Sequence, residues 1–509
     1  MTSPEEPATY GGWQRERSPY LGELSLSGLV TVAGAGLVAM LPVYTHAWAG
    51  EIVAVPVALL LLAAVYLRVY GLTAAEWAVL TVRFQIAVVR RQTMFFSGAF
   101  APRRADGSRR TDLPGVLARL EFLTVPTGAG REIGVVHDPL QGHYSAIMEV
   151  RYPGIALADT ARVNARVSGW GGFLRGHCVE GGPIVRISVT DRSAPEDGTA
   201  LMAWTTGHLD RGAPAAAHDL VTALAAEAAP AASTRRTYLT VTLAASRVRQ
   251  DIRSSGGGTL GATAVLVREL LAMQGAIAAA DLQVVATLTV GQIVEVIRTA
   301  YDPGEVPVLA AHAAAACAPG WAGTPPGVDE SAAGPAAAEQ HWSRYRHDSG
   351  VSASFEVYGW PEGRVYASVL TPLMSPSGNA RRSVSLTYEC LGARTARATL
   401  SRERTKADVK RRVRARGGRI ESLDERKALV DTQDQDHART AGHGIARFSG
   451  VVTVTVDEPE ELPLATARLK RDAYTSGLRL RELYAAQDSG FAATLPLGLG
   501  LPVKRRAVI

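Results

Sequence analysis

The residues with the strongest claim to chemistry are the glycines of SSGGGTLGAT (254–263), which run into the apolar AVLVRELLAMQ. A glycine-rich turn that opens a helix can cradle phosphates on its backbone amides, provided a Lys neutralises the outer phosphate oxygens and a Ser or Thr holds magnesium. Gly256 and Gly261 fit the G-x-x-x-x-G frame, but Ala262 stands where the Lys belongs, with Thr263 after it. The preceding AASRVRQDIRSS is not an apolar strand, and no later apolar strand ends in the Asp that would complete a magnesium site. The stretch therefore predicts a turn that introduces a helix, with Thr259 as its N-cap.

The remaining candidates fare no better. His177 precedes Cys178, and sequence neighbours on a strand point to opposite faces, so they do not form a nucleophile and its base. Cys178, Cys317 and Cys390 show no C-x-x-C spacing, which gives no disulfide framework and no zinc site and fits a reducing cytosol. Asp434, Asp436 and His437 lack a second His or Glu at i+4, as a metal site on that helix face would need. No G-x-S-x-G, H-E-x-x-H or credibly spaced carboxylate pair occurs. We expect no enzyme, no cofactor and no metal.

The elements around these residues are more telling. The chain has 509 residues, 47% of them apolar and 20% charged, and a net charge of +6 carried almost entirely by Arg. That length suits two or three domains. The most basic run, residues 394–419, has no interleaved aromatic platforms, and Glu403 and Asp408 interrupt it. It reads as a solvated helix face, with membrane-surface or partner contact as the alternative and no direct nucleic-acid contact.

Residues 24–43 and 52–67 contain no charge, and Tyr44, Trp48, Tyr66 and Tyr70 sit near their ends. About 20 apolar residues cross a bilayer, and aromatic side chains prefer the headgroup level, so a transmembrane hairpin over 24–70 is predicted. A polar segment, 1–23, precedes the first apolar run, which argues against a cleaved signal peptide. Arg68, Arg83, Arg90, Arg91, Arg103 and Arg104 follow the second run, whereas the loop between the runs has only Glu51 and His46. The positive-inside rule then places both termini in the cytoplasm, with the protein in the plasma membrane. Within 71–111, residues 73–97 predict an amphipathic helix. It either lies on anionic inner-leaflet lipid through Arg83, Arg90 and Arg91 or packs on the soluble domain.

Beyond residue 112 an α+β region is predicted, with strands at 143–152, 183–190, 237–244, 352–361, 365–373, 383–391 and 448–456. Helices are predicted at 159–176, 219–229, 262–280, 290–301, 402–416, 422–441 and 460–486. Residues 310–338, almost all Ala, Gly, Pro and small polar groups, read as a linker. Two similar α+β halves, 112–309 and 339–509, are expected on either side of it.

A resemblance adds to this reading. ERSPYLGELSLSGL (16–29), the two apolar runs and the basic helix after them resemble the small PrgI-type inner-membrane subunit of type IV secretion systems. HWSRYRHDSGVSASFEVYGWP (341–361) and AYTSGLRLRELYAAQDSGFAATLPLG (473–498) resemble the non-motor domain that precedes the motor in the large conjugation ATPases. Gln487, Phe491, Leu495 and Pro496 occupy that domain's closing pattern, and the chain stops at Ile509 with no P-loop domain after it. The resemblance implies a structural membrane component of a type IV secretion-like conjugation apparatus, oligomeric in its complex with other channel subunits and docking a separately encoded hexameric P-loop ATPase. Phe491, Leu495 and Pro496 are the implied docking residues if they lie on an exposed tail, and packing back onto their own domain is the alternative. The membrane-anchored E-type core component of type VII secretion also joins two N-terminal spans to a cytoplasmic α+β domain and is the alternative.

Overall fold

The computed structural model describes residues 8–10, 26–44, 50–66, 68–69, 72–101, 113–316, 327–394 and 445–500, less residues 129, 155–157, 197, 211, 229–232, 362, 376–377, 379 and 393. Two apolar helices come first, α1 (Leu26–Tyr44) and α2 (Glu51–Tyr66), and they pack against each other. Leu37, Met40, Leu41, Ile52, Leu59 and Leu60 point outward from the pair. The short strands β1 (Arg68–Val69) and β2 (Leu72–Thr73) then lead into α3 (Ala74–Val89). Thr73 and Glu76 form a reciprocal capping box at its start. The predicted helix over 73–97 is therefore shorter than expected, because Met94–Phe96 forms β3 and pairs with a later strand.

Next come β4 (Glu121–Gly128), β5 (Arg131–Asp138), β6 (His143–Arg151), α4 (Thr160–His177) and β7 (Ile184–Pro195). They are followed by α5 (Thr199–His208), α6 (Ala215–Ala228), β8 (Ser233–Ala244), α7 (Arg249–Ser254), α8 (Gly258–Ala279), β9 (Gln283–Thr287), α9 (Val290–Tyr301) and α10 (Val306–Ala316). The rest comprises β10 (Ala337–Gln340), β11 (Tyr345–His347), β12 (Gly350–Gly359), α11 (Thr371–Met374), β13 (Arg381–Leu391), β14 (Ile445–Val456), α12 (Leu462–Thr475), β15 (Arg479–Glu482) and α13 (Gln487–Ala493).

All strands from β3 onward join one antiparallel sheet of 13, in the order β3-β10-β11-β12-β14-β13-β7-β8-β6-β5-β4, with β9 on β6 and β15 on β12. The order repeats itself about the central β7–β13 pair. On one side a hairpin, β5–β6, is followed by the outlying β7, then by β8 inserted between β7 and β6, then by β9 on the free edge of β6. On the other side β11–β12, β13, β14 and β15 do the same. The register agrees in detail. Ile147 faces Thr240, which faces Ser188, and Ser354 faces Thr453, which faces Ser383. Leu288 N donates to Ile147 O (2.9 Å) where Leu483 N donates to Ser354 O (3.0 Å).

The strands alternate apolar with hydroxyl residues, so each face has its own core. Ala146, Met148, Leu239, Val241 and Leu243 pack under α4 and α8 through Phe173, Leu266, Leu270, Met273 and Ile277. On the same face of the other side, Phe355, Val452 and Val454 pack under α12 through Leu462, Ala465 and Leu469.

Several local expectations change. Residues 365–373 are not a strand: Val365 makes a single bridge to Tyr10, and Thr371–Met374 is helical. The expected helix over 460–486 ends at Thr475, because Gly477 (φ +69°) turns the chain into β15. The stretch read as linker begins inside α10 and ends in β10. The α8 N-cap is Gly257, not Thr259: three successive glycines, 256 to 258, hold φ of +108°, +72° and +55°, a path closed to ordinary side chains. Gly261 then meets the Ile252 carbonyl so closely that a Cβ would overlap it. Among the described residues one helix, α8, is long and apolar enough to cross a membrane, but eight of its residues are buried in the core. The apolar helices Val30–Pro42 and Glu51–Ala63 are shorter. The expected helices 402–416 and 422–441 lie outside the described residues.

Candidate functional site

The C-terminal segment 487–498, where docking was expected, has a built seat. The face of the sheet opposite α4, α8 and α12 carries Ser145, Thr240, Thr242, Ser188, Thr190, Ser385, Thr387, Thr453 and Ser354, all buried. Neighbouring hydroxyls satisfy one another across the strands: Ser188 with Thr387 and Thr190 with Ser385 (3.2 Å each) across the central seam, Ser145 with Thr242 (2.9 Å), and Ser354 with Thr453 (2.8 Å). The closing segment crosses this face and takes up the remaining capacity. The Gln487 side chain accepts from Ser354 N (2.7 Å) and donates to Ser354 O, as a neighbouring strand would. Thr494 Oγ1 lies 3.0 Å from Thr453 Oγ1. The Thr240 hydroxyl donates to Pro496 O (2.8 Å), and Arg186 Nη1 donates to Gly498 O (2.5 Å). At Gly498 (φ +73°) a Cβ would sit 2.5 Å from both Ser145 Oγ and Thr242 Oγ1, so the chain passes only because glycine is there.

The apolar side chains of the segment go inward. Phe491 meets the rings of Tyr301 (4.8 Å), His347 (4.8 Å) and Tyr345 (5.5 Å). Leu495 and Leu497 join the same cluster with α9's Ile293, Val294 and Ile297. Phe491 and Leu495 are 3% and 4% exposed, and Pro496 is buried as well. Of the two readings of Phe491, Leu495 and Pro496, the exposed docking tail is corrected: all three are buried against their own sheet. Among the residues of the seat, Thr240, Ser354, Thr453 and Arg186 were not anticipated. For Thr240 and Thr453 the one trace in the sequence is the alternation of hydroxyl with aliphatic in LTVTL and VVTVTV.

Next to Phe491, His347 is buried with both ring nitrogens bonded, Nδ1 to Tyr301 O (2.6 Å) and Nε2 to Ser352 Oγ (2.8 Å). Burial, opposed in part by the Tyr301 carbonyl and the charge of Asp302, lowers its pKa from 6.5 to about 4. The unfolded chain thus binds a proton that the folded one refuses between these values. The stability His347 supports is complete above pH 6.5 and is lost as pH falls toward 4, by about 1 kcal/mol per pH unit. We expect His347→Gln to lose this slope, which urea titrations of both proteins at pH 4.5, 5.5 and 7 will show.

The surface residues lie elsewhere. Trp77 and Phe84 of α3 pack on the folded region through Tyr484 (5.0 Å) and Trp342 (5.3 Å), so one side of this helix is committed to the protein. Its other side exposes Val79, Val82, Ile86 and Val89 at helical spacing, with Arg83, Arg90 and Arg91 exposed beside them. Cys178 and Cys390 are free, buried and in side-chain contact, whereas Asp434, Asp436, His437 and Cys317 lie outside the described residues. Among the described residues no group of three or more His, Cys, Asp or Glu could hold a metal ion. The sequence matches no protein-family model and no curated protein.

Proposed function

We propose that the chain is a structural plasma-membrane component of a type IV secretion-like conjugation apparatus, built as two similar α+β halves behind a transmembrane hairpin, and that it docks a separately encoded hexameric ATPase and does no chemistry itself. One observation carries the reading. The α1–α2 pair turns a band of large aliphatic side chains outward, and Glu51, at the turn between the helices, is its only acidic or basic residue. At 1.5 Å per residue the helices, of 19 and 16 residues, reach about 28 and 24 Å, against about 30 Å of hydrocarbon. Slight bilayer thinning and an interfacial Tyr44 accommodate the difference. The exposed aliphatic stripe of α3, flanked by Arg83 and Arg90, then lies along the anionic inner leaflet while Trp77 and Phe84 hold the sheet beneath it.

The full chain should stay with membranes through alkaline carbonate extraction, and a chain lacking residues 1–70 should be released. Purified in mild detergent, it should bring a P-loop ATPase with it. Recovery of the full chain in the soluble fraction, or magnesium-dependent ATP hydrolysis by the chain alone, would refute the proposal.

A further inference from the structure

The central seam brings together two thiols that the sequence keeps far apart. Cys178 caps the C-terminus of α4, in the first half, and Cys390 is the last residue but one of β13, in the second. β13 pairs with β7 so that Glu389 faces Arg186, which sets Cys390 near the start of β7, where the end of α4 packs. Both thiols are free and buried, and they share a hydrogen bond. Main-chain contacts hold them there. Arg247 Nη1 donates to Gly182 O (3.4 Å) and Ile184 O (3.1 Å), while its Nη2 donates to Cys390 O (3.2 Å). Glu180, in the turn after Cys178, accepts from Arg394 N just beyond β13 (2.9 Å).

The two thiols differ in access and in acidity. Cys178 directly precedes the exposed Val179 and Glu180, and its N–H makes only a tightened bond to Arg175 O (3.1 Å), so fraying of the helix end uncovers it. Cys390 lies within the strand pairing, opposite Ala446, and core side chains cover it. The Cys390 thiol donates to Cys178 Sγ and, against the opposing effect of burial, holds the Cys178 thiol below its ordinary pKa, with help from the Leu391 N–H and the Arg247 charge. The same hydrogen bond and burial push the Cys390 thiol up. A reachable thiol that ionises beside one that stays protonated is the arrangement of an attacking and a resolving cysteine.

We propose that Cys178 and Cys390 form a peroxide-sensitive pair whose reversible disulfide bonds the two halves of the sheet to each other. Cys178 Sγ, as thiolate, attacks one oxygen of hydrogen peroxide and breaks the O–O bond. This leaves a sulfenic acid and a hydroxide, which takes the proton Cys178 released and becomes water. Cys390 Sγ then attacks Cys178 Sγ, and the departing hydroxide leaves as water with the Cys390 proton. Two thiols and one peroxide thus become one disulfide and two waters, the sulfurs losing the two electrons that the peroxide gains. The bond ties the end of α4 to the end of β13 and closes a loop through most of the first half, which restrains the unfolded chain strongly.

The test uses the full chain in mild detergent, treated with hydrogen peroxide, alkylated, digested and mapped by mass spectrometry. The wild type should yield a peptide linking Cys178 to Cys390, and its melting temperature should rise. Dithiothreitol should reverse both changes. Dimedone, which traps sulfenic acids, separates the two roles. It should label Cys178 in Cys390→Ser about ten times faster than Cys390 in Cys178→Ser, with circular dichroism confirming that both variants fold. The wild-type measurement stands whatever the variants do. Peroxide-treated wild type without the Cys178–Cys390 peptide, a bond from either residue to Cys317 in its place, or equal dimedone labelling of the two folded variants would overturn the proposal.

Discussion

Gly261→Ala should destabilise the fold by about 3 kcal/mol or more, even though alanine is the better helix former. Its Cβ would overlap the Ile252 carbonyl where α8 crosses α7, and that carbonyl is main chain, which cannot rotate aside. Forced overpacking of this kind typically costs about 1–3 kcal/mol, more when backbone must move. Gly275 supplies the control. It lies in the same helix with nothing within 4 Å of a built Cβ, so Gly275→Ala should stabilise by about 0.5–1 kcal/mol. Urea unfolding of the three proteins measures both, and equal stabilities would refute the packing explanation. ATP with magnesium should leave all three melting curves in place. A rise in the wild type alone would return the glycine-rich turn to nucleotide binding.

Phe491→Ala should cost about 3–5 kcal/mol, and a chain ending at Ser489 should fail to fold cooperatively. The truncation removes the buried Phe491, Leu495 and Leu497 together. It also strips Thr240 and Arg186 of the acceptors they have on Pro496 and Gly498 and opens the Thr453 pair to solvent. Each unsatisfied buried group adds about 1–3 kcal/mol. The measurement is proteolysis resistance of the sheet with and without a synthetic peptide of residues 487–500, which should restore it in trans. A truncated chain that melts like the full one would show that the segment is a free tail after all.

Much of the sheet was legible because its strands alternate strictly. The sequence signal at β8 and β14, apolar at every second residue, places Leu239 with Val241 on one face of β8 and Val452 with Val454 on one face of β14 regardless of context. The capped helices α4, α8 and α9 carry equally local signals, and Gly257 displaced Thr259 as the α8 cap only through three positive φ angles that the letters GGG permit but do not demand. β15 was read as helix because Arg479–Glu482 is too short to show a period, and its strand conformation comes from pairing with β12.

The sequence by itself determined the two uncharged runs 24–43 and 52–67, the lack of a lysine at Ala262 and the α+β alternation, since all of these are properties of residues and near neighbours. Only the tertiary structure decided that the two regions share one sheet through β7 and β13, and that Phe491, Leu495 and Pro496 face inward. A serine or threonine on a strand satisfies its hydroxyl equally well with water or with a covering backbone. Which of the two occurs depends on a segment some 250 residues away, Pro496 over Thr240, and no local pattern encodes that meeting.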